Sequence, residues 1–341
     1  DNAATSLTPR QVIERMAEYY CGYRANVGRG IYRLAQKTTE EYEEARKTLA
    51  RFIGARRSEE IVFTKNTTEG INLVAHGLKF RKGENIVSTL LEHHSNLLPW
   101  MRCRDRWGVE LRLAKPSREG FLELSDFERL IDSRTRLVAI SHVSNVLGVI
   151  VPVREICEIA HERGALVLVD GAQSTPHMKI DVSKLGCDFY AFSGHKMCGP
   201  TGSGALYVKL EAQGELEPPF LGGGTVSHVT LEGFRLLEGP QRFEAGTPLI
   251  AEAIGLKAAA EYLEGVGMGW VEAHERKLSE RIYEGLMELE GVEVYGPEPR
   301  FKLGVTSFNV VGVNPHKVAE SLDSRAGTVS YTHLRAHETE A

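Results

Sequence analysis

From residue 61 onward, short apolar runs alternate with longer stretches whose apolar residues recur every three or four positions. The runs are IVFT at 61, NIVST at 85, VELRLA at 109, RLVAI at 136, ALVLVD at 165, CDFYAFS at 187 and GALYV at 204. Segments so short and so apolar read as strands buried on both faces, and stretches such as PVREICEIAHERG between them read as amphipathic helices. Strand and helix in alternation predict an α/β fold, a mostly parallel central sheet with helices on both faces. Ahead of it, Thr8 and Pro9 can cap and start a helix through about residue 20, and a charged helix covers about 39–52. The glycines and arginines of YRANVGRGIYRLA between them read as a loop. Past the sheet, IAEAIGLKAAAEYLE lies in a predicted helix over 248–264 and a second covers about 270–289, stopped by Gly291. VEVYG, VTSFNVV and a helix over about 315–323 then suggest a smaller α+β unit, with a boundary near 265–269.

In open sheets of this kind ligands sit beyond the carboxyl ends of the strands. The stretch FYAFSGHKMCGPTGSG puts Lys196 at such an end, among glycines and with no carboxylate beside it in sequence. An ammonium there loses hydration without an evident partner, and a Schiff base to an aldehyde cofactor is a chemistry that uses the amine. Asp170 directly follows ALVLV and ends the preceding run, so the two side chains can face one crevice. In a pyridoxal 5′-phosphate (PLP) site a carboxylate pairs with the ring nitrogen while a lysine holds the aldehyde. Thr67 and Thr68 open a helix in NTTEGIN, where hydroxyls and free amides can bind a phosphate, and Ser193 and His195 could complete that cup. His93, after NIVSTLL, could stack on a ring, and Asn145, after RLVAI, could donate to a ring hydroxyl. Each residue has a plainer explanation when taken singly: a structural cap for Asp170, an N-cap for the threonines, a solvated imidazole for His93. Their occurrence at successive strand ends favours a common site.

Composition narrows the class. A net charge of −5 over 341 residues offers no basic field to draw nucleic acid or an anionic membrane. No run is long enough to span a bilayer, and the first residues carry no basic segment leading into an apolar one, so the expectation is a cytoplasmic protein. Five cysteines without close pairing suggest neither a zinc site nor a disulfide framework, and no metal is expected.

Seven segments carry a more specific signal: DNAATS at 1, NTTEGINLVA at 66, EHHSNLLPW at 92, HVSNVLG at 142, DGAQS at 170, SGHKMCGPTGSG at 193 and RFEAGTP at 242. With these the chain resembles the class V aminotransferase family of fold type I PLP enzymes, and within it the SUF-type cysteine desulfurases and selenocysteine lyases. The resemblance implies Lys196 as the Schiff-base lysine, Asp170 as partner of the pyridine nitrogen, and Gln173 and Asn145 near the ring hydroxyl. It implies His93 as the stacking base, Thr68, Ser193 and His195 as phosphate ligands, and Thr247 as a residue reaching the neighbouring subunit's phosphate. A homodimer follows, with L-cysteine as substrate and a SUF sulfur-acceptor protein as partner in iron–sulfur assembly. Selenocysteine lyase, another class V lyase or aminotransferase, and an inactive PLP-binding fragment or interaction protein stand as alternatives. The domains expected are a large PLP-binding one over 1–265 and a small, truncated one over 266–327. An atypical tail over 328–341 lacks the family's segment with the catalytic cysteine, leaving Cys198 as the nearest cysteine in sequence to Lys196.

Overall fold

The structure, a computed structural model, describes residues 1–28 and 30–330. Of the expected tail, 331–341 therefore lie outside the described residues. Two helices lead in: α1 (Arg10–Glu18), which continues into a π-helical turn at Tyr19–Tyr23, and α2 (Arg33–Phe52). Thr8 does not cap α1; its hydroxyl donates to the Gly199 carbonyl at 3.4 Å instead. Helix α2 begins six residues before the predicted start, because the end of the presumed loop buries Ala35 and Thr38, whose hydroxyl donates to the Tyr23 carbonyl at 2.8 Å.

The apolar runs then become strands with helices between them: β1 (Ile61–Thr64), α3 (Thr67–Gly77), β2 (Asn85–Thr89), α4 (Leu98–Trp107) and β3 (Glu110–Ala114). Next come α5 (Leu124–Leu130), β4 (Thr135–Ser141), α6 (Val153–Glu162), β5 (Leu166–Asp170), α7 (Val182–Leu185), β6 (Phe189–Ser193) and β7 (Gly204–Val208). They form one seven-stranded sheet in the order β1-β7-β6-β5-β4-β2-β3. Strands β3, β2, β4, β5 and β6 are mutually parallel, whereas β7 runs antiparallel to both β6 and β1. Two reversals restore the direction, so β1 points the same way as the parallel strands. The ends at Thr64, Thr89, Ser141, Asp170 and Ser193 consequently share one edge of the sheet. Register sharpens this: Ser141 is opposite Asp170, and Gly204 is opposite both Thr64 and Ser193.

Both faces of the sheet are covered, which is why nearly every residue of β2, β4, β5, β6 and β7 is buried. One apolar layer packs Leu49, Phe127, Ile140, Ile156 and Phe192; the other packs Ile71, Trp100, Leu137, Leu168 and Leu206. A short hairpin, β8 (Val226–Val229) and β9 (Phe234–Leu236), is largely exposed and leaves no buried alternation in the sequence by which to predict it.

Helix α8 (Ile250–Val266) ends at Gly267, where φ is 90°, and α9 (Met268–Met287) starts directly after it. A second antiparallel pair, β10 (Val292–Tyr295) and β11 (Ser307–Val310), precedes α10 (Pro315–Ala326). The 301–307 stretch lies along the turn after β4: the Ile150 amide donates to Phe301, the Leu303 amide to Gly148 and the Ser307 hydroxyl to Val146. Among the described residues no helix is long and apolar enough to cross a membrane.

Candidate active site

Asp170 closes β5 with 5% of its surface exposed, and its Oδ1 accepts the Ala172 amide at 2.9 Å. Burial raises its pKa; that amide and the nearby positive charge of Lys196 pull the other way. The backbone can turn here only because the next residue is glycine: a Cβ on Gly171 would overlap the Tyr190 ring. That ring is held from below, its hydroxyl sharing hydrogen bonds with Ser174 at 2.6 Å and Thr175 at 3.1 Å.

One strand over, β6 ends at Ser193 and a 3-10 turn at Gly194–Lys196 delivers the lysine. Gly194 is needed for the same reason as Gly171, since its Cβ would strike the Ser203 hydroxyl. Lys196 is partly buried and makes no hydrogen bond or ion pair among the described residues. Desolvation lowers its pKa, and Asp170 offsets part of that. The first residues of the chain strap the lysine turn in place. The Ser6 amide and hydroxyl donate to the His195 carbonyl at 2.8 and 3.1 Å, and the Cys198 amide donates to the Ser6 hydroxyl at 2.7 Å. Cys198 itself is held at φ 63°, the only positive φ outside glycine among the described residues.

The residues expected to bind a phosphate lie at the start of α3 and at the end of β6. Thr67 and Ser193 turn inward: their hydroxyls share a 2.7 Å hydrogen bond, and the Thr67 amide donates to Ser193 at 2.8 Å. This buried pair fixes the start of α3 against the end of β6. It leaves Thr68 exposed, with its hydroxyl 2.8 Å from that of Ser95. Asn66 caps α3 by accepting the Glu69 amide at 2.9 Å. Ser95 joins this group only in the fold, since a serine between His94 and Asn96 carries no signal of its own. His195 lies beside Lys196 with its Nδ1 3.3 Å from the Thr5 hydroxyl.

His93 caps the turn at His94–Asn96, its Nδ1 accepting the Ser95 amide at 3.1 Å. An accepting Nδ1 puts the proton of the neutral ring on Nε2. Desolvation and then the charge of Lys196 lower the His93 pKa, so imidazole and ammonium lie within electrostatic reach of each other. Gln173 is 5% exposed; its amide donates to the Ala3 carbonyl at 2.9 Å, and its Oε1 is buried with no partner. Asn145 stands in the turn after β4, half-buried, and its side chain makes no hydrogen bond among the described residues. Thr247 is exposed, but the segment before it is anchored: Glu244 pairs with Arg46 at 2.7 Å and accepts the Phe63 amide at 2.7 Å.

His142, next to Ser141, is buried against Tyr190 with an unpartnered Nδ1, and burial lowers its pKa to about 4. The unfolded chain takes up that proton near pH 6.5 and the folded chain only near 4. The contribution of His142 to stability is therefore complete above pH 6.5 and is lost as pH falls to 4, about 3 kcal/mol in all. Urea unfolding from pH 7 to 4 should show wild type losing that much more stability than His142→Leu.

Asp170, Lys196, His93 and the Thr68–Ser95 pair thus gather at one edge of the sheet, and the orphaned Gln173 oxygen and free Asn145 amide are polar groups fit to meet a ligand. Fold and site together define the class of fold type I enzymes, built around a lysine and an aspartate at adjacent strand ends. Residues 1–333 match the family described as aminotransferase class-V, and the chain belongs to that family. A probable cysteine desulfurase of Pyrococcus abyssi is 53% identical over 327 residues, covering 95% of this chain and 81% of the relative. The apo structure of a cysteine desulfurase from Thermococcus onnurineus NA1 superposes with a TM-score of 0.92 at 53% identity, again over 95% and 81% of the two chains. A C-DES mutant solved with glycine covalently linked to its PLP cofactor gives a TM-score of 0.86 at 25% identity, over 95% of this chain and 86% of the other.

Proposed function

We propose that this chain is a PLP-dependent cysteine desulfurase, converting L-cysteine to L-alanine and passing the sulfur on as a persulfide. The observation that carries the reading is the partly desolvated Lys196, unpaired among the described residues, beside the buried Asp170, in a chain whose relatives are named cysteine desulfurases.

When bound, PLP supplies an aldehyde that joins the substrate amine and a protonated ring that draws electrons from the α-carbon. Asp170 would hold the proton on the ring nitrogen. His93 would cover a ring face, Asn145 and Gln173 would meet the ring hydroxyl, and Thr68, Ser95 and His195 would hold the phosphate. The Thr67–Ser193 pair would support that cup from beneath. Thr247 would complete the phosphate site of a second copy, making the functional unit a homodimer. Lys196, with its pKa lowered, has more of its amine in the neutral form at a given pH and can carry a proton to and from the substrate α-carbon.

The sulfur must end on a thiolate. Burial pushes Cys103 up to about 11 and Cys157 up to about 12, and raises Cys187 and Cys198 as well. None of these four is poised to attack, and Cys21 is exposed on the π-helical turn at Tyr19–Tyr23; the persulfide forms on a thiol other than these four, and its sulfur passes to a sulfur-carrier protein of iron–sulfur cluster assembly. The reaction balances as cysteine plus acceptor thiol giving alanine plus acceptor persulfide. Purified protein with PLP, L-cysteine and dithiothreitol should release alanine and sulfide. PLP uptake without alanine release would sink the substrate assignment.

A further inference from the structure

Beneath His93 lies a carboxylate that none of these steps uses. Glu92, in the turn after β2, is 3% exposed. Four donors converge on it: the Thr89 hydroxyl at 2.7 Å and the Ser141 amide at 3.1 Å on Oε1, and the Asn96 amide at 2.6 Å and the Ser141 hydroxyl at 2.6 Å on Oε2. All four are uncharged. Asn96 in turn accepts the Trp100 indole N–H at 3.1 Å, and its backbone amide donates to the His93 carbonyl at 2.8 Å. One side chain thus ties together the end of β2, the end of β4, the His93 turn and α4. Its neighbours are the residues expected to bracket the cofactor: His93 is next in sequence, and Ser141 is opposite Asp170 in the sheet.

We infer that Glu92 is a positioning residue for the cofactor ring, its carboxylate fixing the His93 turn against the strand next to Asp170. The inference rests on the proposed PLP site. An ionised carboxylate accepts all four hydrogen bonds, whereas a glutamine of the same shape presents an NH₂ group to two of the donors. Burial has raised the Glu92 pKa to about 7, the consequence of holding a buried carboxylate with uncharged donors. The sequence gives no hint of this role, because Thr89, Asn96 and Ser141 come together only in the fold.

The test is PLP titration of apo protein, read by visible absorbance, with visible circular dichroism of the bound cofactor as the measure of a ring held in one orientation. Glu92→Gln should weaken PLP binding about tenfold, equivalent to about 1.4 kcal/mol, and reduce the dichroism per bound cofactor. Ser141→Ala and Asn96→Ala each remove a donor but keep the carboxylate, so both should shift the same way by smaller factors. They carry the test if Glu92→Gln does not fold. Glu92→Asp should recover part of the dichroism. Variants that merely unfold at lower urea, with affinity and dichroism of the folded protein unchanged, would overturn the inference and leave the PLP site standing. Failure of wild type to take up PLP would overturn both.

Discussion

Lys196→Ala is expected to lose turnover of L-cysteine by about 10⁴-fold or more, the upper range for removing a group that transfers a proton in the rate-determining region. The expectation follows from position and environment together. Lys196 is presented at the end of β6 by a glycine that admits no side chain, and its turn is pinned from above by Ser6. It has no hydrogen bond or ion pair among the described residues, as befits an amine reserved for a ligand. The fold should survive the change, since Lys196 makes no bond that the alanine would break. Alanine formation measured against wild type, with equal far-ultraviolet dichroism and equal urea midpoints, checks both parts. A variant that keeps a tenth of wild-type turnover would remove Lys196 from the chemistry.

The second large effect concerns stability. Arg46→Ala should destabilise the protein by about 3–5 kcal/mol because it strands the buried Glu244 carboxylate, and Glu244→Ala by less, because Arg46 keeps an ion pair to Glu43 at 3.2 Å. Arg46 is 1% exposed and donates to both Glu244 oxygens, at 2.7 and 3.0 Å, and to the Ile61 carbonyl at 2.6 Å. Its guanidinium also lies 4.7 Å from the centre of the Phe63 ring. Glu244 accepts further from Tyr42 at 3.0 Å and from the Phe63 amide. The pair therefore joins α2, β1 and the segment leading to Thr247. Urea unfolding of both single variants and the double variant is the measurement. The double should cost well under the sum of the singles, since it removes the stranded charge along with its partner. Additive losses would mean that the two groups act independently.

The strands and their common edge were legible because burial on both faces leaves short, uniformly apolar runs. Asp170, Lys196, His93 and Asn145 were singled out because they lie at or within a few residues of the ends of those runs, and the fold sets those ends along one edge of the sheet. Partnerships between residues distant in sequence were not legible. Nothing local indicates that Thr67 and Ser193 occupy each other's hydroxyls, that Ser95 joins Thr68, or that Glu92 collects donors from two strands. The start of α2 was hidden for a similar reason: Thr38 is held by a carbonyl on the preceding turn. Glu244 within RFEAGTP was read only as part of a motif around Thr247, and its role as the buried partner of Arg46 emerges from a contact spanning nearly two hundred residues.

The central claim is that Lys196 is the residue that binds the cofactor's aldehyde. Borohydride reduction of the PLP-loaded protein, followed by peptide mass mapping, tests it most directly. One pyridoxyl group per chain is expected, on the peptide containing Lys196, absent when borohydride is added without PLP and absent from Lys196→Ala. A label on another lysine, or a Lys196→Ala protein labelled as fully as wild type, would contradict it.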